Sequence, residues 1–180
     1  MRGLAANLSE LTVASYQNDI LLFSETLVSD MRHVSEVLVP AWFLSRCRVV
    51  SAQLMPRARG MAAYVRDGYG AFRQPKFECG YCEVLFFNVC GVRQNLYVYS
   101  LYRNPDLDDR IFDCLLASMA AVHAEDVRAS FLFVGDLNGH QQEWLGSTTT
   151  NRHGVAAFDF ETVWLRSVGC RPNPCTWWNN

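Results

Sequence analysis

Ser130-Phe-Leu-Phe-Val-Gly-Asp-Leu-Asn-Gly-His140 is the stretch on which the reading of the fold turns. Phe131 to Val134 is a short apolar run, too short for a helix and too apolar for an exposed loop. It stops at Gly135 and gives way to Asp136, Asn138 and His140. The pattern predicts a buried central strand whose C-terminal end opens onto a crevice. Open α/β sheets place ligands at such strand ends. Asp-Leu-Asn-Gly is equally the composition of a plain turn, so this stretch alone leaves turn and site in balance.

Working outward, Ile20-Leu-Leu-Phe23 repeats the pattern, with Glu25 just beyond it. Two short buried strands that each deliver a carboxylate at the C-terminal end point to a site more strongly than one. If the two are neighbours in a parallel sheet, Glu25 and Asp136 emerge at the same edge.

Composition sets the bounds. The chain has 180 residues, long enough for one domain with a proper core, and it is 50% hydrophobic and 13% aromatic, which excludes disorder. A net charge of -2 excludes a global basic field, so a nucleic-acid ligand would be met locally or through metal ions. Met1 to Leu11 has no continuous apolar core, and no run approaches the roughly 18 apolar residues of a membrane span. An intracellular protein, nuclear or cytoplasmic and not secreted, with no membrane partner, is expected. The seven cysteines suit free thiols in a reducing compartment, with no disulfide partner. Cys79-Gly-Tyr-Cys82 has the spacing of a redox pair or half a zinc site. With Cys90 and Cys114 standing apart, a turn lined by small apolar side chains is the preferred reading.

The remaining elements follow from periodicity and punctuation. Leu4, Leu8 and Leu11 share a helical face, which predicts a short helix from Asn7 to Gln17. Val28 to Pro56 reads as connecting loop with at most a short strand. Met61 to Arg66 is a strand, and Asp67-Gly68 a hairpin-type turn. Glu83–Val89 and Leu96–Tyr102 are the clearest strand pair, joined by a loop over Gly91 to Asn95. Asn104 and Pro105 suit a helix start, and Ile111, Leu115, Met119 and Val122 mark an apolar face running to about Val127. Gln141 to Thr150 is loop, and Val155 to Val163 a helix. Trp144 is expected to pack under that loop. Strands with interposed helices, without repeats or a domain boundary, predict an α/β sandwich.

Ser24-Glu25-Thr-Leu, Tyr102-Arg-Asn-Pro105, Gly135-Asp136-Leu-Asn138-Gly-His and Asn151-Arg-His-Gly154 occur in this order. Together they resemble the endonuclease/exonuclease/phosphatase superfamily, most closely the endonuclease domain of non-LTR retrotransposons. Arg59-Gly60-Met-Ala-Ala-Tyr-Val-Arg66 resembles that group's glycine turn and following strand, and Met1-Arg2-Gly3-Leu4 the end of its first strand. Each motif is weak alone, but the ordered set is specific. The resemblance covers residues 1–163 and leaves 164–180 as a divergent tail.

It implies a DNase-like four-layer α/β sandwich and Mg²⁺-dependent hydrolysis of a phosphodiester, with Mn²⁺ as an alternative ion. Glu25 is then the metal ligand, Asp136 binds or activates the water, Asn138 orients the phosphate or leaving group, and Tyr102 hydrogen-bonds the scissile phosphate. Hard oxygen donors, few in number, fit such an ion. Arg59, Arg103 and Arg152 are candidate contacts to the nucleic-acid backbone, although for any one of them a solvated loop arginine is the better reading. His140 is placed beside the site, on the substrate side. The implied partners are DNA and a reverse transcriptase domain of the full-length element.

The family pattern also includes an Asn on the first strand and a C-terminal Ser-Asp-His, and neither is found in this sequence. The expectation is therefore a domain truncated at both ends, lacking its first and last strands. For the isolated chain that favours a catalytically inactive relic over a DNA-nicking enzyme, because groups that act as a unit are strongly non-additive. Another phosphodiesterase or phosphatase of the superfamily is a third reading. A thiol-redox module lacks the strand-then-helix context it needs.

Overall fold

The computed structural model describes residues 18–24, 42–47, 60–66, 68–80, 82–91 and 94–167. Their strands are β1 (Ile20–Phe23), β2 (Trp42–Cys47), β3 (Met61–Arg66), β4 (Ala71–Arg73), β5 (Glu83–Val89), β6 (Leu96–Tyr102) and β7 (Ser130–Asp136). The helices are α1 (Arg110–Glu125), the single turn α2 (Gln142–Leu145) and α3 (Arg152–Ser167). The expected helix from Asn7 to Gln17 lies outside the described residues.

The strands form two sheets, ordered β1-β3-β2 and β4-β5-β6-β7. All pairings are antiparallel except β6 with β7, which the α1 crossover makes parallel. Two-residue alternation divides β5, β6 and β7 of the second sheet between two cores. Val84 and Phe86 of β5, Tyr97, Tyr99 and Leu101 of β6 and Phe133 of β7 meet Ile111, Leu115, Met119 and Val122 of α1. Ala157 and Phe160 of α3 complete that cluster. The opposite faces, with Leu85, Phe87, Val89 and Val98, meet Met61, Ala63 and Val65 of the first sheet. Among the described residues the architecture is an α/β sandwich of two packed sheets with helices on one outer face, three of the four layers expected.

Several expectations are corrected. Ser130–Asp136 is not central: among the described residues β7 is an edge strand, and only Phe133 on it is fully buried. It also runs through Gly135, whose φ is +151°; a Cβ there would lie 1.9 Å from the Leu101 carbonyl oxygen. β1 and β7 are not neighbours in a parallel sheet but belong to different sheets. The turn at Gly68 is no hairpin, since β3 and β4 lie in different sheets. Helix α1 starts at Arg110, five residues after Pro105, and Asn104 instead closes a local turn by accepting from the Asp106 amide at 3.0 Å. The segment read as loop with at most a short strand holds β2, and the loop from Gln141 to Thr150 holds α2.

Candidate active site

Strand register builds the site. Glu83 pairs with Tyr102, and Tyr102 pairs with Asp136. Direct partners share a face, so these residues form one row across β5, β6 and β7, about 10 Å long at the usual strand spacing. The row lies on the face turned toward the other sheet, where Tyr102 packs against the inter-sheet core. Exposure rises along it: Glu83 is 2% exposed, Tyr102 is half-buried and Asp136 is exposed.

The first sheet reaches the same end. The Gly60 amide, at the start of β3, donates to Glu83 Oε2 at 2.8 Å. Phe23, the last residue of β1, pairs with Ala62. The ends of β1, β6 and β7 therefore converge, although through two sheets rather than one. Glu25 and Arg59 lie outside the described residues.

Asp136 turns the chain at the strand end. Its Oδ1 accepts from the Asn138 amide at 2.8 Å, and Leu137 anchors the turn in the helix-side core. Asn138 takes the left-handed conformation, φ +49°, which asparagine tolerates better than most residues. Its Nδ2 donates to the Arg103 carbonyl at 2.7 Å. Asp136, Asn138 and Tyr102 thus stand at adjoining strand ends. His140 stands on the same loop with an exposed side chain. Its amide donates to Asn151 Oδ1 at 3.0 Å, and its carbonyl accepts from the Asn151 amide at 2.8 Å. Asn151 Oδ1 also caps α3 by accepting from the Gly154 amide at 2.8 Å. The Asn151-Arg-His-Gly154 stretch is thereby the dock for the site loop.

Arg103 departs from its expected role. Its side chain is 0% exposed and lies under the starts of α1 and α3. The guanidinium donates to the carbonyls of Leu107, Asp108 and Leu137, and its Nη2 lies 2.8 and 3.1 Å from the two ring nitrogens of His153. His153 Nδ1 is 2.6 Å from Asp109 Oδ1. A carboxylate only accepts, so Nδ1 carries the hydrogen and Nε2 is the acceptor left for the guanidinium. Burial pushes the Arg103 pKa down, against the opposing pull of Asp109. The physical reason is alternation: Tyr102 faces the other sheet, so Arg103 must face the helices. Arg152 is exposed, and its Nε donates to His153 Nε2 at 3.4 Å.

Glu83 is the residue that sequence reasoning missed. Counting back from the hairpin at Val89 and Leu96 sets it opposite Tyr102, and a charged residue opening a largely apolar strand was the available signal.

The thiols also differ from expectation. Cys79 contacts both Cys82 and Cys114, so Cys114 does not stand apart. These contacts, followed by burial, push the Cys82 and Cys114 pKa values up, which favours the neutral thiol at both. Among the described residues no cluster of His, Cys, Asp and Glu side chains is arranged to hold a metal ion. A cavity of about 510 Å³ between α1 and α3 is lined by Asp108, Asp109, Asp113 and Asp159. Its carboxylates repel a phosphodiester, which separates it from the strand-end site.

Comparison with known families gives one match, the model described as the endonuclease/exonuclease/phosphatase family, over residues 2–180. The chain belongs to the endonuclease/exonuclease/phosphatase family. The match runs across the boundary placed at Val163, as does α3, which ends at Ser167. No curated protein matches the chain. Among solved structures, the endonuclease domain of TRAS1, a telomere-specific non-LTR retrotransposon, superimposes with a TM-score of 0.62 at 17% identity. That alignment covers 92% of this chain and 67% of the TRAS1 domain, and it shows the shared fold. Humanized D. rerio TDP2 carrying 14 mutations gives 0.48 at 13% identity, covering 82% of this chain and 62% of that one. The human nocturnin catalytic domain, with bound sulfate, gives 0.47 at 10% identity, covering 77% and 58%. No helix among the described residues is long and apolar enough to cross a membrane.

Proposed function

We propose that the chain carries the phosphodiester-hydrolysing centre of a retroelement endonuclease that nicks DNA with Mg²⁺. The observation that carries this reading is the register pairing of Tyr102 with Asp136 at the ends of β6 and β7, with Asn138 held beside them. Asp136 presents an exposed carboxylate to orient water for attack. The Asn138 amide commits Nδ2 to the Arg103 carbonyl, which leaves Oδ1 for a donor on the substrate side. The Tyr102 hydroxyl donates to a phosphate oxygen whose charge grows in the transition state. Arg152 and His140 meet the DNA backbone from the neighbouring loop.

The exposed Asp136 carboxylate is a hard oxygen donor of the kind a divalent ion takes, and such an ion needs only one or two carboxylates beside several waters. Glu25 would hold it, with Asp136 alongside; when bound, the ion supplies charge neutralisation at the phosphate. DNA and, in a full-length element, a reverse transcriptase domain are the partners this reading calls for.

A second reading, that the isolated chain does not turn over, rests on the histidines. His153 is committed to Asp109 and Arg103, and among the described residues no carboxylate orients the His140 ring. Plasmid nicking separates the two. The proposal expects Mg²⁺-dependent conversion of supercoiled to open-circular DNA that Asp136→Asn abolishes, since Asn keeps the turn-closing acceptor and removes only the charge. Identical traces from wild type and variant, with or without Mg²⁺, remove the catalytic reading; robust wild-type nicking removes the silent one.

A further inference from the structure

We infer that Arg103 is the positioning residue of this centre, holding Asp136, Asn138 and Tyr102 as one unit, with His153 and Asp109 as its anchor. The inference rests on the phosphodiesterase reading of the site. Arg103 follows Tyr102 directly, so its placement fixes the end of β6. Its amide donates to the Asp136 carbonyl at 2.9 Å, and its own carbonyl takes the Asn138 Nδ2 bond. Its guanidinium reaches the Leu137 carbonyl between them at 3.4 Å. One residue therefore touches three consecutive residues of the site loop.

A fully buried guanidinium is tolerated only where its donors are used. Here they hold loop carbonyls at Leu107, Asp108 and Leu137, outside any helix or strand ladder. The remaining contact is the His153 ring, which Asp109 fixes from its other side. Asp109 precedes α1 and His153 lies in the first turn of α3, so the anchor joins the starts of both helices. The clasp faces the helices while the site row faces the other sheet. The chemistry at Arg103 is thus mechanical: it sets where Asp136 and Asn138 stand and does not touch the substrate.

The fork geometry matters more than the charge. Lysine, a point charge without a planar fork, cannot reach the separate carbonyls and the imidazole together. An arginine that meets a backbone phosphate through a single contact, by contrast, can be replaced by lysine as a point charge. Arg103→Lys is compared with wild type in single-turnover nicking, in DNA binding and in residue-resolved amide exchange. The expected result is a nicking rate lowered at least about tenfold, because misplacements near 1 Å carry such losses. DNA affinity stays within about twofold, since no phosphate contact is removed. Exchange at the Asn138 and His140 amides rises about tenfold or more, with β5 amides unchanged.

Unchanged exchange at Asn138 and His140 overturns the inference, whatever the nicking rate. So does raised exchange with wild-type nicking, or weakened DNA binding at an unchanged rate. Where Arg103→Lys does not fold, His153→Ala keeps the guanidinium, removes its anchor, and is expected to raise exchange at the same two amides. If wild type itself does not nick, the proposed function fails, and the exchange data alone decide whether Arg103 holds the loop.

Discussion

Replacing Gly154 with alanine tests the docking of the site loop without removing any chemical group. Gly154 sits in the first turn of α3, where helix propensity alone favours alanine by about 1 kcal/mol. Tertiary structure opposes this. An added Cβ would lie 2.0 Å from the His140 carbonyl oxygen and 2.4 Å from its carbon, both rigid backbone atoms. A relaxed carbon–oxygen contact is about 3.3–3.6 Å, so the helix start and the loop must part by more than ~1 Å. That stretches the Asn151-to-His140 bonds, now 2.8 and 3.0 Å, beyond hydrogen-bond range. Each lost bond removes about 1 kcal/mol, and forcing the contact adds about 1–3 kcal/mol of strain. Set against the propensity gain, Gly154→Ala should destabilise by about 2–4 kcal/mol. For a chain of this size that lowers Tm by roughly 5–15 °C. Thermal and urea unfolding followed by circular dichroism measure it. A variant as stable as wild type, or more stable by the propensity increment, would refute the docking argument, because only the sign of the change separates the two effects.

Two further outcomes are expected. Asp126 accepts from Asn95 at 2.9 Å and from the Tyr97 hydroxyl at 3.3 Å, which holds its carboxyl below the usual range, the Asn95 bond contributing most. A lowered folded-state pKa gives stability that is present above the unfolded value, near 3.9, and lost as pH falls through the folded one. The urea-midpoint gap between wild type and Asp126→Asn should therefore be open at pH 7 and close below about pH 4; a gap that persists in acid contradicts the assignment. Cys90 is exposed while Cys79 and Cys82 are buried, so alkylation of the native chain followed by peptide mapping should label Cys90 well before either. Equal labelling of Cys82 and Cys90 would show that the core is not packed as described.

The sequence by itself determined the local elements. Ile20–Phe23, Met61–Arg66, Glu83–Val89 and Leu96–Tyr102 were legible to the residue, because short apolar runs bounded by polar or turn residues have few other uses. It also determined that Asp136 and Asn138 stand at a strand end and that Tyr102 ends another. The family resemblance was readable from the same stretches. Lateral order was not legible. β5 is buried on both faces, so its sequence is a continuous run that names neither neighbour nor side. Only the tertiary structure put β1 and β7 in separate sheets, left β7 at an edge among the described residues and joined the two site ends through Gly60 and Glu83.

The same limit governs the side chains. An arginine beside a site tyrosine reads as a substrate contact, because a sequence shows the charge and not the carbonyls that will enclose it. Arg103 turns inward because strand alternation points it at the helices, and there Leu137 and His153, which lie 34 and 50 residues along the chain, supply its partners. Cys114 meets Cys79 for a like reason, across a helix–sheet interface that forms only when α1 docks. Local periodicity writes which residues face together; what they face is decided by contacts between segments far apart in sequence.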